Sequence, residues 1–489
     1  MLLDEILTQL KEGKQNKAYT IDDKSYTYTD FYKYVCNIYW FLQKSNSLKG
    51  PVIVYGNKEI YMKASFVACS FAGITYIPVD KSIPKDRIES IIKQCKPKLI
   101  IGDYLDTNNN VITVEEITQI MNNEKYEDIE KIYMKPEDIY YIIFTSGSTG
   151  MPKGVKVTYN NLDSCIKWLK EITNIQKEVI LNQAIFSFDL SVADLYLSLA
   201  SGSEHFVLGN NKLDFNTIFK SIKKSSASLA VMTPSFAELL LLDKSFNQEL
   251  LPKLKTIIFC GEKLLGKTVR ELHSRFDNLK IINSYGPTEC TFAVTNIEIT
   301  KELEDEENIP VGIPKKDVKI FIVDENKNVL EEGKTGEILI TGVSVADGYL
   351  GNVEKNQFIL FNKQKGYLTG DLGFIKNNIL YCAGRKDEQV KYKGYRIELQ
   401  DIENSFYSLN YIEKIKVIPK VSDEKKVTKL IAFIQIKKGY DIKIEKIKKD
   451  VINKIADYMM PNIKLIEEFP LNDNGKIDIK ALKEKVNGK

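Results

Sequence analysis

The stretch that most limits what this chain can become runs from Tyr140 to Val155: Tyr-Tyr-Ile-Ile-Phe-Thr-Ser-Gly-Ser-Thr-Gly-Met-Pro-Lys-Gly-Val. Its first part is a run of aromatic and β-branched residues without polar alternation, the pattern of a strand buried on both faces of a sheet. The run then breaks abruptly into Ser, Thr and Gly. Gly147, Gly150 and Gly154 let the backbone approach a ligand closely and turn its N–H groups inward. Thr145, Ser146, Ser148 and Thr149 add hydroxyl donors, and Lys153 adds a mobile positive charge. This set suits an anion with several oxygens, most simply the β- and γ-phosphates of ATP.

The loop is not a Walker A loop, because its lysine precedes Gly154 and no Ser or Thr follows to meet Mg²⁺. A flexible linker is the plain alternative, but linkers do not follow a buried strand so abruptly. At 489 residues the chain exceeds the usual size of one core, so at least two domains are expected. Lys plus Arg number 69 against 66 for Asp plus Glu, a balance that argues against nucleic acid or a membrane as the main partner. The seven cysteines stand singly, with no C-x-x-C pair to suggest zinc or a disulfide framework. Neither a signal-peptide pattern at Met-Leu-Leu-Asp-Glu nor an apolar run of transmembrane length is present, so a cytoplasmic location is expected.

Along the chain, strands at 51–55, 75–80 and 99–101 alternate with helical stretches at 64–72 and 85–95. A helix is expected early in residues 1–40, then a strand-turn near Tyr26–Thr29 and a second helix. Residues 105–137 read as polar and irregular. A helix over 162–172 follows, with a strand at 179–182 and strand-to-loop transitions at 229–234, 256–261 and 280–289. Alternation of this kind predicts parallel sheets covered on both faces, an α/β class. From about residue 309 short strands and turns indicate a small β-rich subdomain. The expected organisation is a large N-terminal domain, residues 1–386, of two parallel-type α/β subdomains plus the β-rich one. Residues 387–489 form a small mobile α+β domain, with helices at 401–409 and 448–458 and strands at 415–419 and 429–436.

The stretch Phe144 to Val155 resembles the phosphate loop of the adenylate-forming enzymes, the superfamily of acyl-CoA synthetases, luciferases and peptide-synthetase adenylation domains. Four further segments fit it. Asn283-Ser284-Tyr285-Gly286-Pro287-Thr288-Glu289 offers a ring to stack on adenine, hydroxyls for phosphate and a carboxylate for Mg²⁺; the resemblance implies stacking by Tyr285 and metal binding by Glu289. Tyr367 to Gly373 is similar to the motif whose acid, here Asp371, holds both ribose hydroxyls. Gly384-Arg385-Lys386-Asp387 is similar to the motif in which Arg385 touches ribose or phosphate and Asp387 is a hinge. Asn472-Asp473-Asn474-Gly475-Lys476-Ile477 resembles the last motif, a tight turn presenting a lysine that bridges substrate carboxylate and α-phosphate. Thr145, Glu289 and Lys476 are thereby the implied catalytic residues, with ATP and Mg²⁺ as cofactors.

The implied reaction begins with attack of a carboxylate oxygen on the α-phosphorus, releasing pyrophosphate and forming an acyl-adenylate. It needs no protein nucleophile, and the two histidines, His205 and His273, fall in no motif. Asp189, in Phe-Asp-Leu-Ser on an apolar background, bears on which acid is used. A carboxylate buried there costs several kcal/mol unless paired, and a substrate α-ammonium pairs it; capping the helix expected near Val192 is the alternative. The segments Val231–Glu238 and Phe259–Glu262 resemble the D-alanine:carrier-protein ligases of teichoic acid modification, where the cysteine matching Cys260 lines a small pocket. Phe292 departs from that pattern, which has a smaller aliphatic residue, so glycine or another small amino acid stays open.

No segment resembles a carrier domain, so the implied acceptor is the phosphopantetheine thiol of a separate small acidic carrier protein, reached after rotation about Asp387. Other readings are a stand-alone adenylation enzyme of a nonribosomal peptide pathway, an acyl-CoA ligase for an organic acid, and a catalytically silent nucleotide-binding protein.

Overall fold

The structure, a computed structural model, describes residues 1–44, 50–104, 109–146, 151–209, 215–351, 357–387, 389–424, 426–471 and 477–487. The chain forms two compact units. The first comprises Met1–Lys81, Cys95–Ile143 and Gly154–Lys386; the second comprises Ser82–Gln94, Phe144–Lys153 and Asp387–Lys489.

In the first unit one sheet has nine strands among the described residues. Six run parallel in the order Lys17–Ile21, Glu204–Val207, Val179–Asn182, Leu229–Met232, Thr256–Phe259 and Lys280–Tyr285. Antiparallel strands close its edges. A seven-stranded sheet is built on Tyr76–Asp80, Val52–Gly56 and Leu99–Ile101, parallel to one another. Ile139–Thr145, the strand that feeds the phosphate loop, joins Tyr76–Asp80 in parallel. Gly348–Tyr349 lies antiparallel to Lys153–Thr158, the strand that leaves the loop.

Helices Ile60–Phe71 and Leu190–Ser201 are buried along all twelve residues each. Their small and apolar composition accounts for this, since a helix without a polar face must be covered on every side. Lys63 Nζ of the first donates to Ser198 Oγ of the second, Phe66 packs on Phe186 just ahead of the second, and Tyr196 pairs hydroxyls with Tyr76 of the neighbouring strand at 2.7 Å. The third sheet of this unit is antiparallel, joining Val318–Val323, Gly336–Gly342, Gln364–Lys376, Phe358–Phe361 and Ile379–Arg385.

In the second unit Ile412–Val421 and Val427–Ile436 pair antiparallel, and Asn462–Leu465 adds a parallel strand. Helices Leu399–Tyr407, Ile444–Val451 and Ile479–Asn487 accompany this sheet, as does the hairpin Gln389–Tyr392/Tyr395–Glu398.

Three local expectations change. The segment near Tyr26 is the second strand of a hairpin with Lys17–Ile21, and the next helix already starts at Tyr28. A reciprocal cap sets that start: Asp30 accepts from Thr27 N, and Thr27 Oγ1 accepts from Asp30 N. Within 105–137 lies the helix Val114–Met121, opened by a Thr113–Glu116 capping box. The helix expected at 448–458 runs over Ile444–Val451 instead. Pro461 disfavours a helical Met460, which is extended, so the chain turns early to reach the strand Asn462–Leu465.

Candidate active site

In the first unit the polar residues collect at the carboxyl ends of parallel strands, where α/β sheets bind ligands. Lys280–Tyr285 ends in Asn283, Ser284 and Tyr285, all buried. Asn283 Nδ2 donates to Pro310 O at 2.7 Å, and Ser284 Oγ to Phe259 O at 2.7 Å. The turn through Gly286, Pro287 and Thr288 folds tightly. A Cβ on Gly286 would lie 2.6 Å from Ala293 Cα, so the close approach requires glycine.

Tyr285 and Asp371 meet. The Tyr285 hydroxyl donates to Asp371 Oδ2 at 2.7 Å, and Arg385 Nη1 lies 2.5 Å from Oδ1. The antiparallel pairing of Gln364–Lys376 with Ile379–Arg385 sets Asp371 opposite Arg385, and Gly370 precedes the acid with φ +72°. Burial first, then the Asp371 charge, pushes the Tyr285 phenol well above its ordinary value. A carboxylate has about four lone-pair sites, so these donors leave it capacity for a cis-diol.

Glu289 is 1% exposed. Its Oε1 accepts from the Tyr349 hydroxyl at 2.6 Å, and its carbonyl accepts from Ala346 N at 2.9 Å. Among the described residues no group of three or more His, Cys, Asp or Glu could hold a metal. A Mg²⁺ arriving with nucleotide phosphates keeps several waters and needs only one or two carboxylates, a requirement that Glu289 fits.

Asp189, 7% exposed, directly precedes the buried helix Leu190–Ser201 but makes no side-chain capping bond to it. Its charge is felt by both Tyr141 and Cys165, and burial pushes the Cys165 thiol up to about 12. Cys260 belongs to the same core as Cys165 and Phe292, and its Sγ lies 3.8 Å from Phe292 O. Position 292 thus meets the cysteine through its carbonyl. Thr291 and Phe292 hold φ of 59° and 70°, a left-handed pair rarely adopted by such residues and costing about 1–3 kcal/mol each. The Thr291 hydroxyl donates to Ser344 O at 3.0 Å and helps hold the turn.

In the second unit Thr145 Oγ1 donates to Lys153 O at 3.5 Å, and Ser146 Oγ to Arg396 O at 2.9 Å. Lys153 is half-buried. Asp387 is exposed, and its Oδ1 accepts from Gln389 N at 3.2 Å. Gly147, Ser148, Thr149, Gly150 and Lys476 lie outside the described residues.

Sequence reasoning overlooked Tyr349. A tyrosine in Asp-Gly-Tyr-Leu carries no local signal of contact with a glutamate sixty positions earlier. His205 belongs to a different group, with its Nε2 2.9 Å from Asp194 Oδ1 in the core. No helix among the described residues is long and apolar enough to cross a membrane.

The AMP-binding enzyme family matches residues 7–350. The D-alanine--D-alanyl carrier protein ligase of Bacillus licheniformis is 41% identical over 450 residues, 89% of either chain. The ligase of the same name from Listeria innocua is 41% identical over 459 residues, again 89% of either chain. The crystal structure of the Vibrio cholerae adenylation domain AlmE in complex with glycyl-adenosine-5'-phosphate has a TM-score of 0.84 at 22% identity, covering 100% of this chain and 98% of that one. At that identity the likeness is one of fold. Taken with the strand-end cluster around Tyr285, Glu289 and Asp371, these matches establish that the chain belongs to the AMP-binding enzyme family.

Proposed function

We propose that this protein is a D-alanine–carrier protein ligase, using ATP to activate D-alanine and passing it to the phosphopantetheine thiol of a separate carrier protein. The observation that carries the substrate assignment is Asp189, a buried acid at the start of Leu190–Ser201 that shares its surroundings with Cys165 and Cys260. Its partner is the α-ammonium of the amino acid. The relatives' shared name supports D-alanine as that amino acid.

Tyr285 stacks on adenine with its hydroxyl tied to Asp371, and Asp371 accepts from the ribose hydroxyls while Arg385 holds its other oxygen. Thr145, Ser146, Lys153 and the glycine-rich loop between them hold the phosphates. The D-alanine carboxylate attacks the α-phosphorus, the bond to the bridging oxygen breaks, and pyrophosphate leaves. Mg²⁺, when bound, neutralises phosphate charge in this step. Lys476 stabilises the charge developing between carboxylate and α-phosphate, a contact worth roughly 10²–10³ in rate. The carrier thiol then loses its proton and attacks the acyl carbonyl, releasing AMP and leaving a thioester. Residues 387–489 move as a lid about Asp387 between the two steps, with residues 1–386 as the core, and the cytoplasm supplies the ATP.

The test is ATP–pyrophosphate exchange with D-alanine, L-alanine, glycine and D-serine, beside a Lys476→Ala control. Exchange led by D-alanine and abolished in the control is the expected result. Preference for glycine or D-serine would keep the chemistry and change the substrate, and silence with every amino acid would remove the role given to Asp189.

A further inference from the structure

The segment 346–350 grips two parts of the site at once. On one side it runs along the strand that leaves the phosphate loop. Asp347 N donates to Lys156 O at 2.8 Å, Leu350 N to Gly154 O at 2.7 Å, and Lys156 Nζ meets the Asp347 carboxylate at 2.6 Å. Gly348 and Tyr349 stand opposite Lys156 and Val155 in the ladder. On the other side it holds Glu289 twice, Ala346 N donating to its carbonyl and the Tyr349 phenol to Oε1.

The phenol is itself held. The Tyr367 hydroxyl lies 3.3 Å from that of Tyr349, the Gln357 side-chain amide oxygen lies 3.1 Å from it, and Phe358 packs on both rings. Tyr349 has one proton to give, and the carboxylate at 2.6 Å takes it in a short, charge-assisted bond. Hydroxyls in series polarise one another, so the Tyr367–Tyr349–Glu289 chain holds the carboxylate more firmly than a single neutral contact. A carboxylate on its own has a χ3 torsion with broad, shallow wells; here its orientation is tied to the backbone of the strand leaving the loop.

We propose that Tyr349 is a positioning residue for the divalent cation: its phenol aims the Glu289 carboxylate relative to the phosphate-loop exit strand, so that a cation shared with the ATP phosphates meets a ligand already oriented. This rests on the adenylation reading and on Glu289 as the metal residue. Tyr349 acts through Glu289, so its effect appears in how far the metal strengthens nucleotide binding.

The experiment measures the Kd of full-length protein for α,β-methylene-ATP by calorimetry, with Mg²⁺ and with chelator, for wild type, Tyr349→Phe and Glu289→Gln. In the wild type Mg²⁺ should tighten binding. In Tyr349→Phe that tightening should shrink by roughly 3- to 10-fold, the worth of one such hydrogen bond, while the Kd in chelator stays within about twofold, a few tenths of a kcal/mol. Glu289→Gln should lose the tightening altogether. A Mg²⁺ effect in Tyr349→Phe equal to wild type overturns the proposal, and so does an equal weakening with and without metal, which marks a merely structural tyrosine. If Tyr349→Phe does not fold, Tyr367→Phe carries the test one hydroxyl further back, with a smaller shift of the same sign; an unchanged Mg²⁺ effect there overturns it. D-alanine-dependent exchange by the wild type separates the two readings. Exchange with an unaltered Tyr349→Phe sinks only the positioning role, whereas no exchange with any amino acid sinks the adenylation reading and this proposal with it.

Discussion

Asp189 shows how much a single side chain can carry. It stands where a helix N-cap belongs, yet its carboxylate makes no bond to the first turn of Leu190–Ser201. A buried carboxylate costs several kcal/mol unless a cation offsets it, and under the proposed function the α-ammonium of D-alanine is that cation. Asp189→Asn should therefore lower kcat/KM for D-alanine roughly 10- to 100-fold, the worth of one charge-assisted hydrogen bond. ATP affinity should stay unchanged, as exchange with ATP varied at saturating D-alanine can establish; equal loss in both substrates would refute the assignment. Phe292 is a second residue-scale case. The sequence marks it as a departure in side-chain size, but it approaches Cys260 through its main-chain oxygen.

At the scale of elements, the two all-buried helices carry charge into the core. Lys58 Nζ donates to Gln183 O and Leu208 O at 3.0 Å each, linking the two large sheets. Asn182 Nδ2 donates to both Asp194 carboxylate oxygens at 3.0 Å, and the Asp194 charge favours the charged forms of Lys58 and Lys63. Burial pulls these lysines down to about 8 and about 7, and it pushes Asp194 up and His205 down. Asp194→Asn would remove the acid bonded to Asn182 and His205 and the charge felt by both lysines, and should cost about 1–3 kcal/mol. Adding Lys63→Met should recover part of it, as urea unfolding midpoints would reveal.

The hairpin Gln389–Tyr392/Tyr395–Glu398 offers a pH test of the same kind. Burial raises the Glu398 carboxyl above its ordinary 4.5, against the lowering pull of Arg396. The folded protein then holds this proton more tightly than the unfolded chain, so the stability it contributes is present below pH 4.5 and is lost as pH rises through the folded value. Glu398→Gln should raise the melting temperature at neutral pH and lose that gain as pH falls toward 4.5. A gain independent of pH would show that the charge is not its source.

At the scale of the whole molecule the chain divides into two compact units, the second drawing in Ser82–Gln94 and Phe144–Lys153. Asp387 is exposed and opens the last segment of the second unit. If the chain pivots there, Asp387→Pro should spare one half-reaction and slow the other at least tenfold, because proline locks φ near −65°. Separate assays of exchange and of D-alanyl transfer to a carrier protein would decide it, and wild-type rates in both would dismiss the pivot.

The sequence alone determined the α/β class and the strand leading into the glycine-rich loop, and its family resemblance singled out Tyr285, Glu289 and Asp371 as candidates. Each of these rests on a local pattern: an apolar run, a glycine-rich break, or a polar tip after a strand. The capping box at Thr113–Glu116 was equally local, and it escaped notice only because its polar surroundings read as irregular. Tertiary structure alone decided the rest. It joined Tyr285 to Asp371 across 86 positions and Tyr349 to Glu289 across 60, brought the Phe292 carbonyl to Cys260, and set two lysines around one aspartate in the core. The reason is that side-chain pairing at long range depends on sheet order and register, and neither is written in the periodicity of any one segment.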